Sequence, residues 1–308
     1  MLRYNKRIIA CYLHPITLHG YPPPAEDTGK HMRALHRLGF QSMELEGVHE
    51  QHLMKMYALR DQIVDTLDEL EMCVPFFCVV LPGLSSADAD IRKKNLNLFE
   101  TGCRMAKALG AGAVLDNGPL PPYNFPADLP VVRHYEEDVI SKTGLPASLD
   151  WAAYWKDITM TWRQACDIAG EYGLSYHMHP ASGVLCAKTD GFLNFFDAVG
   201  RDNLRFNLDT ANQFAHKDHL QLALVRLKDH IDYIHLSDNG GSRIEHLPIH
   251  EGAIAWDPFF ETLHDIQFDG FFGIDIGGDE SGVDDLDRAY QQAAQFLESK
   301  IPDLRQQT

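Results

Sequence analysis

No stretch of this chain approaches ~18 uninterrupted apolar residues, which argues against a membrane-spanning helix. Charge falls within the first seven residues and no long apolar run follows, so no secretory leader is expected. The six cysteines form no CxxC pair and keep no regular spacing, which speaks against a zinc ribbon or a dithiol redox centre. Most of them lie in apolar segments, as buried free thiols of a reducing compartment do, and a cytoplasmic location is expected. Basic residues are also scarce. Lys and Arg number 27 against 44 Asp and Glu, a formal net charge of −17 that argues against nucleic acid as a partner. Glycine-rich phosphate loops are missing as well. Gly240-Gly241-Ser242 and Gly277-Gly278-Asp279 follow apolar runs, but neither completes GxGxxG or a P-loop.

What the 308 residues do contain is a regular alternation. Short apolar runs predict strands at Arg7–Leu13, Ser42–Glu46, Val74–Val80, Ala113–Asp116, Leu174–Met178, Leu204–Leu208, Tyr233–Leu236 and Phe271–Ile276. Helical periods fall between them, near Ala25–Leu38, Val48–Glu71, Ala87–Leu109, Trp151–Tyr172, Asp190–Val199, Asp218–His230 and Trp256–Ile266, with a last helix at Ser281–Ser299. Eight strands alternating with eight helices predict an α/β fold, a single (β/α)₈ TIM barrel over residues 1–308. A doubly wound open sheet is the competing arrangement. Glycines in Leu38-Gly39, Leu109-Gly110, Tyr172-Gly173 and Val199-Gly200 sit where helices should stop. One connection breaks the rhythm: residues 118–150, after the fourth strand, form a long proline-rich βα loop that includes Arg133. On the catalytic face of a barrel it would serve as lid, substrate wall or subunit contact, and a homo-oligomer is compatible with it. Arg305–Thr308 reads as a frayed tail.

In a barrel, side chains at the C-terminal strand ends converge on one mouth. That geometry selects His14, Glu44, Glu46, Cys78, Asp116, His177, His179, Asp209, His235 and Asp275. Imidazoles and carboxylates in such a group suit Mn²⁺, Co²⁺, Zn²⁺ or Fe²⁺. A charged residue such as Asp209, closing the apolar run Arg205-Phe206-Asn207-Leu208, is costly unless paired or metal-bound, though it could also cap the next helix. Glu46 is placed to bind a substrate hydroxyl or to form a salt bridge across the mouth.

The segments Asn207-Leu208-Asp209-Thr210-Ala211-Asn212, Tyr233-Ile234-His235-Leu236-Ser237-Asp238 and Phe271-Phe272-Gly273-Ile274-Asp275 resemble the xylose-isomerase-like TIM barrels, the superfamily of sugar isomerases, epimerases and endonuclease IV. The resemblance implies metal ligation by Asp209, His235 and Asp275 and a pocket position for Asn212. Asp275 stands where the relatives usually carry glutamate. Tyr176-His177-Met178-His179-Pro180 departs further, because many relatives have a Glu-x-His-Pro segment there. Matching the proline puts His177 at the glutamate's place as fourth ligand and His179 at the substrate-contacting histidine. Two imidazoles would make Mg²⁺ a poorer fit than a transition metal. His250 stands where relatives commonly have glycine and adds acid–base capacity; His246 beside it is a candidate substrate contact, as are His14 and Asp116.

The expected activity is a metal-dependent isomerase or epimerase acting on a keto sugar or polyol through an enediolate, with His179, His250 and His177 as acid–base candidates. Sparse basic residues near the mouth (Lys188, Arg243, Arg133) disfavour a phosphorylated substrate. A lyase shares the same first step and is the alternative, as dehydratase or keto-glycoside deglycosidase. A non-catalytic sugar-binding barrel is another. DNA repair is disfavoured by the charge.

Overall fold

Strand alternation decides which side chains meet at the centre of this molecule. The structure, a computed structural model, describes residues 3–124 and 137–301. Its strands are β1 (Ile8–Ala10), β2 (Ser42–Met43), β3 (Leu45–Val48), β4 (Phe76–Val80), β5 (Ala113–Asn117), β6 (Ser175–His179), β7 (Leu204–Asp209), β8 (Tyr233–Leu236) and β9 (Phe271–Ile274). All pairings are parallel, in the order β2-β1-β9-β8-β7-β6-β5-β4-β3. The two ends of that order, β2 and β3, are consecutive in the chain, so the sheet curls into a near-closed barrel.

This corrects the expected eight-stranded (β/α)₈ barrel. Among the described residues there are nine strand segments and twelve α-helices. The expected second strand is broken at Glu44: Ser42 and Met43 pair with β1, whereas Leu45–Val48 pair with β4. One expected helix is divided too, into His49–Ala58 and Arg60–Leu70, and a short helix, Thr210–Ala215, precedes Leu220–Leu227 where none was expected. Leu13–His19 adds a helix soon after β1, overlapping the expected strand Arg7–Leu13 only at Leu13.

Two apolar layers follow from the alternation. Outward residues such as Ile8, Val114, Tyr176, Phe206 and Ile234 pack under the helices, while Ile9, Phe76, Cys78, Leu115 and Tyr233 fill the barrel itself. Phe76 and Tyr233 stack at 3.9 Å between centroids. The helix ends carry ordinary capping chemistry: Asp88, Asp150 and Asp285 accept backbone N–H groups at N-termini. Gly39 and Gly200 take the left-handed conformation at the stops where they were expected, with φ of 106° and 61°.

The centre of the long loop, residues 125–136 with Arg133, lies outside the described residues, as do 302–308, which include the expected tail. Its flanks are anchored, with Asn124 bridged to Gly144 and the Leu120 carbonyl accepting from the Tyr154 hydroxyl at 3.0 Å. No described helix is long and apolar enough to cross a membrane. All six cysteines are unpaired, five of them buried.

Candidate metal centre

The ends of β6, β7 and β8 and the residue after β9 each bring one polar side chain inward. His179, Asp209, His235 and Asp275 place one ligand atom apiece within 4.8 Å of one another, all four buried. His179 Nε2 lies 3.0 Å from Asp209 Oδ2, and His235 Nδ1 lies 3.9 Å from Asp209 Oδ2 and 3.7 Å from Asp275 Oδ2. The last two separations are too long for hydrogen bonds, and His235 Nδ1 is buried without a hydrogen-bond partner. An orphaned buried nitrogen facing two carboxylates is costly by itself and suits an ion held between them. The donor set therefore fits one divalent cation.

Electrostatics agree. Burial would raise the Asp209 pKa, yet the hydrogen bond with His179 and the nearby His246 and His235 hold it well below the usual carboxylate range. Burial opposes charge on His235, but Cys11 and Glu44 beside it push its pKa well above the ordinary value. A pocket that draws positive charge onto a buried imidazole is one that welcomes a cation.

Asp209 carries both roles considered for it, one on each oxygen. Oδ1 accepts from Asn212 N at 2.8 Å and caps the helix Thr210–Ala215, while Oδ2 faces the ligand group. Both histidines are gripped on the ring nitrogen away from the group. Asn117 Oδ1 accepts from His179 Nδ1 at 3.1 Å, leaving Nε2 for a metal. Glu44 Oε2 lies 3.2 Å from His235 Nε2.

The cavity above this group is lined by Leu13, Ile16, Tyr21, Glu44, Glu46 and Asn117, together with His179, His235 and Asp275. Tyr21, Val80 and Asn117 also line an adjoining chamber that continues along Leu81, Leu120, Trp162 and Val184. Neither lining contains Lys or Arg among the described residues. Arg243 is exposed and paired with Glu245 at 3.2 Å.

Other sequence-selected residues are placed differently. His177 faces inward but lies deeper, with Nε2 3.0 Å from Ser175 Oγ and 3.2 Å from Asp232 Oδ1, and its ring edge-on to Phe76. Burial lowers its pKa, partly offset by Asp232. Asp116 lies away from the ligand group, its Oδ2 accepting from the Tyr176 hydroxyl at 3.3 Å and its pKa pushed well above the usual value by burial, but it lines the adjoining chamber. Its neighbour Asn117 is the β5 residue that meets the ligand group. Strict alternation from Leu115 would have found it.

His14 turns toward the C-terminal helix, 2.8 Å from Asp287 Oδ1. His250 is exposed with its ring edge-on to Phe296. Its backbone N–H is held at 2.9 Å by the buried Asp238, which also accepts from Ile254 N and Trp256 Nε1 and so folds the β8 loop back on itself. His246 is near the group but buried, its Nε2 3.5 Å from Asp275 Oδ2 and its Nδ1 3.2 Å from Glu280 Oε1. Asn212 sits in the first turn after Asp209, with a buried Oδ1 lacking a hydrogen-bond partner.

A near-closed parallel barrel with a His/Asp ligand group at its C-terminal end defines a metal-binding α/β-barrel protein. Residues 32–300 match the family model described as xylose isomerase-like TIM barrel, and the chain belongs to that family. Solved structures are similar at low identity. A D-allulose 3-epimerase from Methylomonas sp., in complex with D-allulose, is 15% identical with a TM-score of 0.73, over 97% of this chain and 99% of that one. A 3-keto-D-glucoside 4-epimerase from E. coli is 14% identical with a TM-score of 0.70, over 96% and 100%. A probable 3-DHS dehydratase from Bacillus anthracis is 14% identical with a TM-score of 0.63, over the full length of both chains. At these identities the likeness shows the fold alone.

Proposed function

We propose that this protein is a divalent-metal-dependent isomerase or epimerase of an uncharged keto sugar or related polyol. The observation that carries the reading is the buried group of His179, Asp209, His235 and Asp275, which opens onto a cavity lined without Lys or Arg. Epimerases of keto sugars among the similar structures agree with it. Two imidazoles and two carboxylates favour Mn²⁺, Co²⁺, Zn²⁺ or Fe²⁺ over Mg²⁺. Bound there, such an ion would polarise a carbonyl and its neighbouring hydroxyl and so acidify the C–H between them.

This chain's own residues supply the rest. His179 serves as ligand here rather than as acid–base group, and His177 is not in the set. Asp209 and Asp275 are committed to the ion, and Glu44 faces Tyr233 and His235. Glu46, in the cavity lining, is then the carboxylate placed to take the proton from the carbon alpha to the carbonyl. Returning it to the neighbouring carbon gives isomerisation; a second donor on the opposite face gives epimerisation. Tyr21, Leu13 and Ile16 flank the cavity and exclude water from the reacting carbon. Gly118 and Leu120 carry the start of the long loop into the adjoining chamber, which supports a role for that loop as a substrate wall. The unpaired cysteines favour a reducing, cytoplasmic setting.

Elemental analysis of the gently purified protein should find about one divalent transition metal per chain, with Asp209→Ala metal-poor and inactive. Product analysis on a panel of keto sugars should then show an isomer or epimer. Equal metal in both proteins sinks the site. A product lacking water replaces isomerisation by elimination, and metal without turnover on any keto sugar points to a binding protein.

A further inference from the structure

A glutamate buried inside a barrel calls for an explanation. Glu44 is 2% exposed and occupies the break between β2 and β3, where the chain leaves one neighbouring strand for another. A carboxylate there is costly unless donors surround it. Two do: the Tyr233 hydroxyl at 3.1 Å and His235 Nε2 at 3.2 Å, both on Oε2. Of these only His235 belongs to the ligand group, and its other nitrogen, Nδ1, is the orphaned atom facing Asp209 and Asp275.

We infer that Glu44 is a positioning residue for the metal centre: its carboxylate holds the proton of His235 on Nε2, so that Nδ1 presents its lone pair to the ion. The inference rests on the metal reading above and adds to it the reason for Glu44. Outer hydrogen bonds of this kind fix both tautomer and ring orientation of a ligating histidine. The surroundings reinforce the ring's position. A Cβ on Gly273 would stand 2.6 Å from Cys11 Sγ and from the Tyr233 hydroxyl, and 3.0 Å from His235 Cδ2, so the imidazole passes where only glycine leaves room. The adjacent group of Cys11, Glu44 and His235 offers a competing use of the same glutamate, as ligand to a second ion. Hydrogen bonding argues against that use, because the Tyr233 hydroxyl sits between Cys11 and Glu44, donating to Glu44 Oε2 at 3.1 Å and lying 3.5 Å from Cys11 Sγ.

The experiment compares Glu44→Gln, Glu44→Asp and Glu44→Leu for Co²⁺ affinity by chelator competition, alongside NMR of ¹⁵N-histidine-labelled, metal-free protein. In the wild type, the neutral form of His235 should carry its single proton on Nε2. Glu44→Gln keeps an acceptor oxygen in place and should bind Co²⁺ within about tenfold of wild type. Glu44→Asp, which retracts the carboxylate, and Glu44→Leu should both lose about 10–100-fold. If Glu44→Leu fails to fold, the Asp and Gln variants still decide, because a pure charge effect would spare Asp and penalise Gln. Unchanged affinity in the folded variants overturns the inference, as does a neutral His235 ring whose single proton sits on Nδ1 rather than Nε2. So does a second equivalent of Co²⁺ that disappears in both Cys11→Ala and Glu44→Leu. A wild type that binds no Co²⁺ at all, yet shows the Nε2 proton, would fail the metal reading while leaving the hydrogen-bond assignment standing.

Discussion

His177 and His179 stand on one strand, two residues apart, and both face the barrel interior. They differ in almost everything else. His179 reaches the layer at the mouth, where Asp209 and Asn117 engage its two ring nitrogens. His177 lies about 6.6 Å deeper along the strand, among Phe76, Ser175 and Asp232, where burial favours the neutral ring. The same contrast recurs on β8, where Tyr233 fills the lower layer and His235 the upper. Depth along the strand, rather than the face a residue points to, separates packing from chemistry in this barrel.

The sharpest way to break that comparison is to truncate both histidines. His179→Ala should lose metal and with it nearly all activity. His177→Ala should keep its metal and lose stability, by about 2–4 kcal/mol for a buried ring removed from a packed layer. Metal content and denaturant midpoints, measured on the same preparations, read both effects. Metal loss in His177→Ala with retention in His179→Ala would reverse the two layers.

Glu46→Gln tests the mouth without touching the ligand group. It should keep full metal and lower kcat by about 10²–10⁴-fold, the range for an acid–base group. A variant with kcat unchanged and KM raised would make Glu46 a substrate contact only.

Acid pH probes the histidines that act as packing. Burial pushes the pKa of both His31 and His52 down to about 4, from 6.5 for a free imidazole. Between these values the unfolded chain binds protons that the folded one refuses. Their stabilising contribution is therefore complete above pH 6.5 and declines as pH falls toward 4. Urea midpoints should fall across that window, and a His31→Gln, His52→Gln double variant should show a shallower decline. An unchanged slope would remove these two residues from the account.

The smallest effect belongs to His250, which the structure sets against Phe296 away from the cavity. His250→Ala should alter kcat/KM by less than about twofold, within the ±0.5 kcal/mol usual for surface substitutions. A loss of a hundredfold would bring it back into the mechanism.

Much of this was legible in the chain. Apolar runs alternating with helical periods announced parallel strands and their crossover helices, and the glycine stops fell where helices end. Asp209, His235 and Asp275 announced themselves as polar residues closing apolar runs, where an unpaired charge would be expensive. The division of the second strand at Glu44 left no local signal, because it reflects a change of pairing partner from β1 to β4. That Asn117 rather than Asp116 meets the ligand group was a matter of one residue in parity.

By itself, then, the sequence determined strand and helix periods and a set of strand-end candidates, since hydrophobic pattern and strand-end position are local properties, and its resemblance to the family implied three of the four clustered residues. Tertiary structure alone decided that His179 rather than His177 completes the group, that Asn117 and Glu44 grip the two imidazoles, and that His14 and His250 face elsewhere. Those outcomes depend on strand stagger and barrel closure, which set the height at which each inward side chain arrives. Height is a relation between strands, and a period of two along one strand does not contain it.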